Sequence, residues 1–338
     1  MKVSLKPLKE QVIVITGASS GIGLATAREA ARRGARLVLA SRNRHALDAL
    51  VDELKSRGTE AIAVRADVGV QDDHQKILEA AITAFGGIET WVNNAGVSIF
   101  GKLEDVAIED QRQLFETNFW GVVYGSLAAV THLRQTGGAL INVGSELSDR
   151  AVPLQGIYSA SKHAVKGFTD ALRIELEADE APVSVTLIKP ASIDTAFVEH
   201  AKNYLDVEPQ LPAPIYDAKA VAEAILYAAE HPMRDVFVGG ASKAISSLGQ
   251  RMPSLADKLF GRSMIRAQRS QYPASARRDA LWDAGDTNTR DRYTDRRVHS
   301  SSLYTNMNTR WRALTLTGAG LAVIYTILHC ATRGGRDR

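Results

Sequence analysis

The chain has 338 residues, 45% of them hydrophobic, which suits one large or two small globular domains with a substantial core. The net charge of +3 conceals a division: residues 241–338 hold 17 Lys+Arg against 7 Asp+Glu, leaving 24 against 31 for the first 240, so an acidic body carries a basic tail. Cys330 is the only cysteine, which excludes an intrachain disulfide; the N-terminal lysines precede no signal-peptide core, because Val12–Thr16 is too short, and export is not expected.

Gln11–Thr16 (QVIVIT) is a β-branched run that reads as a strand. TGASSGIG at 16–23 follows, then a helix-period segment from Leu24 to Arg33 closed by Gly34. Strand, glycine turn and helix are the parts of a nucleotide-binding unit. Gly17 allows the tight turn, Gly21 admits close backbone approach to a pyrophosphate, and Gly23 lets helix and strand pack, while the helix N-terminus offers amide donors. Ser19, Ser20 and Ile22 complete that turn. Arg36–Ala40 is a second strand, ending in Ser41-Arg42-Asn43-Arg44. An acidic residue near this point would hold the ribose 2′-hydroxyl of NAD. Ser41 and Arg42 stand there instead, and a guanidinium pairs with the 2′-phosphate of NADP, so NADP(H) is expected over NAD(H).

Ala61–Arg65 is a third strand, followed directly by Asp67 and Val68 at the expected adenine edge. A helical pattern at 71–85 leads to a strand at Glu89–Val92 and the turn Asn93-Asn94-Ala95-Gly96. Strands alternating with helices at this interval imply a parallel sheet covered on both faces, with ligands beyond its carboxyl ends. Residues 106–131 carry one long helical pattern that includes Asn118, a poor helix former with room for a functional reason, a cap or a water site.

Leu140, Ile141 and Val143 form a short apolar run that reads as the next buried strand, and Ser145 leaves its tip. Tyr158 and Lys162 then lie four apart on a helix, one above the other, so the ammonium sits beneath the phenol. A phenol has an unperturbed pKa of about 10, and a fixed cation lowers it, which makes Tyr158 an acid/base candidate. Val183–Lys189 is a sixth strand ending in Pro190. The proline-rich stretch 191–215 reads as an irregular lid, Asp217–His231 as a helix and Val236–Gly240 as the seventh strand.

In the tail, residues 241–269 show helical spacing of apolar residues with interspersed cations, broken at Pro253, and suit either an anionic membrane or the protein's own body. Residues 270–312 are polar and aperiodic, as in a flexible linker. Ala313–Ala331 is nineteen residues without Asp, Glu, Lys or Arg. As a helix it would span about 28 Å, so a membrane anchor is expected there, with a docking helix as the alternative. No nucleic-acid-binding module accompanies the basic tail, and nucleic acid is not an expected partner.

TGASSGIG at 16–23, Asp67, NNAG at 93–96, Asn118, Ser145, Tyr158 with Lys162, and Pro190 through Thr195 together resemble the short-chain dehydrogenase/reductase family over roughly residues 8–240. The resemblance implies an α/β fold of Rossmann type, doubly wound around a seven-stranded parallel sheet, with the basic tail as an extension. It implies Tyr158 as general acid or base, Lys162 lowering its pKa and holding the nicotinamide ribose, and Ser145 on the substrate oxygen. Asn118 would support a water relay to Lys162, and Ile193 and Thr195 would contact the carboxamide. Pairing through helices near 106–131 and 157–178 gives an expected homodimer or homotetramer. Two positions depart from the family: Gly144 replaces a frequent second serine, and Ala191 a frequent glycine.

The expected activity is NADP-dependent hydride exchange with a carbonyl or secondary alcohol. Val152, Leu154, Phe197 and Leu205 suggest a hydrophobic one. The alternatives are a nucleotide-sensing or scaffold protein, against which Asn118, Ser145, Tyr158 and Lys162 all being present argues, and a sugar-nucleotide epimerase or dehydratase.

Overall fold

Short β-branched runs alternating with amphipathic helices build one layered unit. The computed structural model describes residues 3–239, 253–276, 278–284 and 298–299. The first half runs β1 (Val12–Thr16), α1 (Gly21–Arg32), β2 (Arg36–Ser41), α2 (Arg44–Ser56), β3 (Ala61–Arg65), α3 (Gln71–Phe85), β4 (Thr90–Asn93) and β5 (Ile99–Phe100). Next come α4 (Ile108–Phe115), a π turn at Glu116–Trp120, α5 (Gly121–Thr136), β6 (Gly138–Val143), a short turn at Glu146–Ser148 and α6 (Gly156–Ala178).

β7 (Val183–Pro190) is followed by the short strands β8 (Ser192–Asp194), β9 (Lys202–Asn203), β10 (Val207–Pro209) and β11 (Ile215–Asp217). Then α7 (Ala218–Glu230) leads to β12 (Asp235–Val238).

Seven parallel strands form the central sheet in the order β12-β7-β6-β4-β1-β2-β3. The chain winds outward from β1 through β2 to β3, then returns to β4 on the other side and winds away through β6, β7 and β12. The carboxyl ends of β1 and β4 therefore flank the point where the order reverses, the place where this architecture opens a crevice. Alternating residues of β1 feed the two cores. Ile13 and Ile15 pack with α1, α2 and α7, while Val12 and Val14 pack with Trp91 and with α3, α5 and α6.

The long helix expected at 106–131 is interrupted. Asn118 is fully buried in the π turn and uses both ends of its amide on one backbone residue: Oδ1 accepts from the Val97 N–H at 2.8 Å and Nδ2 donates to the Val97 carbonyl at 2.9 Å. Trp120, two positions on, stays 41% exposed.

The stretch 191–215 is less irregular than its prolines suggest. β8 pairs with β11, which closes the stretch on itself, and β9 pairs with β5, which ties it to the body.

The tail departs most from expectation. α8 (Pro253–Ala267) starts at the proline, and β13 (Arg269–Pro273) pairs antiparallel with β10, Pro209 opposite Arg269 and Val207 opposite Pro273. Ala280 and Leu281 are buried, Leu281 completely, in the same cluster as Tyr158. The described residues of 270–312 are thus not the free linker their polarity implied, and the fold does not stop at residue 240. Of the two readings for 241–269, the described helix fits packing on the protein's own body. Residues 241–252 and 313–331 lie outside the described residues, and among the described ones no helix is long and apolar enough to cross a membrane.

Candidate active site

The crevice at the switch point is a cleft of about 1740 Å³ counted to its open mouth. Its lining runs from Gly17 to Ile22 at one end, past Asn94 to Gly96, to Ser145, Tyr158 and Lys162.

Its first wall is the turn from β1 into α1. Gly17 has φ +66°, and a side chain there would come within 2.8 Å of the Ala95 Cα. A Cβ on Gly23 would lie 2.2 Å from the Gly17 carbonyl oxygen, so only glycine lets helix and strand approach this closely. Ser20 leads into α1 without a side-chain cap bond, leaving the first amides of the helix to a ligand. Ser19, Ser20, Gly21 and Ile22 line the cleft, and Thr195 approaches Gly21 across it.

The Thr16 hydroxyl, at the end of β1, accepts from the N–H of Asn94 at 3.0 Å and of Ala95 at 3.2 Å; the Asn94 amide donates back to the Thr16 carbonyl at 2.9 Å. Asn94, Ala95 and Gly96 therefore line the cleft, whereas Asn93 points away, donating to Asn142 Oδ1 at 2.9 Å under the sheet. This is the strand alternation of β4. Dinucleotide chemistry fits these donors and this spacing.

At the far end stand Ser41, Arg42, Asp67 and Val68. The Arg42 guanidinium lies 4.0 Å from Asp67 and donates to the backbone carbonyls of Ala280 and, at 3.2 Å, Trp282. Asp67 accepts from the Gly69 N–H at 2.9 Å.

Ser145, Tyr158 and Lys162 meet in the middle of the cleft. The Ser145 hydroxyl accepts from the Leu147 N–H at 3.1 Å, and the Ser148 hydroxyl accepts from the Ser145 N–H at the same distance, which seats the loop. The Ser145 hydroxyl acts on the Tyr158 phenol, favouring its ionised form. Lys162 donates to the Val143 carbonyl at 3.0 Å with its Nζ 5.7 Å from the centre of the Tyr158 ring. A Cβ on Gly96 would sit 3.3 Å from Asn118 Oδ1 and 3.7 Å from that Nζ, so the amide and the ammonium share one neighbourhood. Asn118 and Gly23 stand behind the wall; the other expected residues, including Pro190, Ile193 and Thr195, line it.

The phenol is not lowered as the Tyr-Lys spacing suggested. Burial pushes it above its usual value, the Ser145 hydroxyl opposes that, and the Glu146 charge adds to it. Lys162 is itself 4% exposed, and burial brings it down to about 8. Both departures from the family pattern are matched by neighbours. A Cβ at Gly144 would meet Ser148 Oγ at 2.8 Å, so that hydroxyl occupies the space; opposite Ala191 stands Gly239, where a Cβ would come within 2.8 Å of the alanine methyl.

The family model described as short chain dehydrogenase matches residues 11–205. The chain belongs to the short-chain dehydrogenase family. As a short-chain dehydrogenase it is an NAD(P)-dependent oxidoreductase. It is 50% identical over 334 residues, covering 97% of this chain and 94% of the relative, to a Bacillus subtilis (strain 168) protein called uncharacterized oxidoreductase YxnA. An Arabidopsis thaliana 11-beta-hydroxysteroid dehydrogenase-like 4A is 40% identical over 54% of this chain and 61% of its own. Two solved structures at 27% identity share the fold. One is an alcohol dehydrogenase from Thermococcus sibiricus complexed with 5-hydroxy-NADP (TM-score 0.60, 68% of this chain, 95% of that one). The other is a short chain dehydrogenase/reductase from Burkholderia phymatum in complex with NAD (TM-score 0.67, 80% and 100%).

In this short-chain dehydrogenase several lining residues carried no local signal. Met264, Gln268, Ala280 and Ala284 come from the tail, and Glu146 follows Ser145. Of the apolar residues expected in the substrate pocket, Val152 and Phe197 line it. Leu154 and Leu205 do not; Leu205 packs instead beside Phe100 and Val198. Gln268 could have been suspected only as a polar residue at the end of an apolar helical stripe.

Proposed function

We propose that the chain is an NADP(H)-preferring ketone reductase and alcohol dehydrogenase for a hydrophobic carbonyl or secondary alcohol. The observation that carries this reading is that Ser145, Tyr158 and a buried Lys162 line one mainly apolar cleft, the serine hydroxyl acting on the phenol. Bound nicotinamide would supply or accept the hydride. In reduction Tyr158 gives its proton to the substrate oxygen while Ser145 donates a hydrogen bond to that oxygen. The Lys162 ammonium steadies the phenolate that remains. In oxidation the same groups run in reverse. Asn118 holds the Val97 backbone and donates to Ser161 at 3.2 Å, which supports a role in shaping the proton path behind Lys162.

Gly17, Ser19, Ser20, Gly21, Ile22 and Gly23 would hold the pyrophosphate turn, and Asn94, Ala95 and Gly96 the adjoining ribose. Asp67 and Val68 would face the adenine, and Pro190, Ile193 and Thr195 the carboxamide. Support for NADP(H) comes from Ser41 and Arg42 at the end of β2, with Arg65 and Lys76 lining the adjoining recess. Leu147, Val152, Phe197, Leu211 and Met264 support a hydrophobic substrate. Exposed Trp120, Leu127 and Ile174 on the π turn, α5 and α6 favour pairing into a homodimer or homotetramer. An intact acid/base set favours turnover over nucleotide sensing alone.

The test is oxidation of NADPH and NADH with a panel of ketones. Tyr158→Phe should bind NADPH normally and lose about 10²–10⁴ in kcat, the usual contribution of a positioned acid. Wild-type-like turnover in that variant removes Tyr158 from the mechanism.

A further inference from the structure

Glu146 stands next to Ser145 in the chain and lines the same cleft, yet the reaction as derived above does not use it. It opens the turn Glu146–Ser148, and its backbone carbonyl is occupied, accepting from the Asp149 N–H at 3.3 Å. Its carboxyl is not. Oε2 is enclosed without a hydrogen-bond partner, and no ion pair reaches the group among the described residues. Lys162, in the same cleft, donates to the Val143 carbonyl. Arg150, four positions along the chain, pairs with Asp257 through a terminal nitrogen, and its Nε is buried without a partner among the described residues. The carboxyl still acts on the phenol, because its charge raises the Tyr158 pKa, which places it within electrostatic reach of the reacting centre.

An enclosed carboxyl with no partner is a standing destabilisation, and a group of this kind calls for a ligand that completes it. The chemistry of that ligand is bounded on three sides. A cationic substrate would meet the Lys162 ammonium in the same cleft, and an anionic one would meet Glu146 itself. The remaining wall of Leu147, Val152, Phe197, Leu211 and Met264 admits a mainly apolar molecule. What fits is a neutral polar group on an apolar body. Burial brings the Glu146 carboxyl to about 7, so near neutrality it serves as acceptor in one state and donor in the other. A hydroxyl answers both states, since it can give or take a hydrogen bond.

We propose that Glu146 is a specificity residue that hydrogen-bonds a hydroxyl carried by the substrate close to its reacting carbonyl, making hydroxy ketones, or the matching diols in oxidation, the preferred substrate class. The proposal rests on the reductase reading above. It assigns Glu146 no part in hydride or proton transfer.

The experiment compares NADPH-dependent reduction of phenylacetone and of phenylacetylcarbinol, its counterpart with a hydroxyl beside the carbonyl, by the full-length wild type, Glu146→Leu and Glu146→Gln. The readout is the ratio of kcat/KM for the two ketones within each protein, which cancels differences in folded fraction. The ratio should fall about tenfold or more in Glu146→Leu, as for a site that loses its partner for a substrate hydroxyl, and less in Glu146→Gln, whose amide still gives and takes hydrogen bonds. An unchanged ratio in Glu146→Leu overturns the proposal and leaves the reductase reading intact. A wild type that reduces neither ketone overturns the reductase reading, and this proposal with it.

Discussion

Replacing Glu146 with glutamine should stabilise the cofactor-free protein at alkaline pH and do little under acid conditions. Burial raises the carboxyl from 4.5 to about 7, with the Tyr158 phenol and the Lys162 ammonium as the other titratable groups of its neighbourhood. A folded-state pKa above the unfolded one means that the native protein binds the proton more tightly. Stability from this group is therefore present at low pH and is lost as pH rises from about 4.5 to about 7, then levels off. At about 1.36 kcal/mol per pKa unit the loss is about 3 kcal/mol at pH near 8.5, and it is under about 1 kcal/mol near pH 5. Glutamine keeps the shape and cannot ionise. Urea unfolding at both pH values, at one protein concentration, should show the variant ahead by up to about 3 kcal/mol at the higher pH and by under about 1 kcal/mol at the lower. A difference that does not change with pH, or a variant weaker at both, would refute the argument that an unpaired carboxylate is held in the cleft.

Three further outcomes can be tested, two resting on the geometry of the cleft and one on the sequence of the tail. Arg42→Asp should shift the NADPH/NADH preference towards NADH by about 10–100-fold in kcat/KM, the equivalent of one or two charge-assisted hydrogen bonds, and an unchanged preference would remove the 2′-phosphate assignment. Leu281→Ala should destabilise the protein by about 2–5 kcal/mol, or less if the tail detaches locally, and should raise KM for NADPH, because the carbonyls on either side of Leu281 hold the Arg42 guanidinium. KM at the wild-type value would detach the tail from the cofactor end of the cleft. Removing the residues after about 309 should release the enzyme into the soluble fraction with activity intact, as fractionation would show; a full-length protein that is already soluble ends the anchor idea.

Much of the site was legible because its signals are local. The glycine turn at 17–23 reports a close approach that any side chain would block: a Cβ added to Gly23 would lie 2.2 Å from the Gly17 carbonyl oxygen. The four-residue spacing of Tyr158 and Lys162 obliges them to share a helix face whatever surrounds them. The alternation of strand and helix required a parallel sheet with its polar loops at one rim. The π turn at Asn118 was less legible, because a helical period continues through it and only the contact with Val97, twenty-one positions back, reveals the break.

By itself, then, the order of residues determined the sheet, the glycine bend and the residues that meet at its rim, since each of these follows from periodicity or from contacts a few positions long. Tertiary structure alone decided the rest. Burial reversed the expected shift of the Tyr158 phenol, a result that depends on how many neighbours exclude water rather than on which residue lies one turn away. It also left Glu146 Oε2 without a hydrogen-bond partner among the described residues and brought Leu281 against the same cluster as Tyr158. Three apolar residues in a polar stretch, Ala280 to Trp282, are too few to show a period; only the closing of a loop more than a hundred residues long gives Leu281 a core to enter.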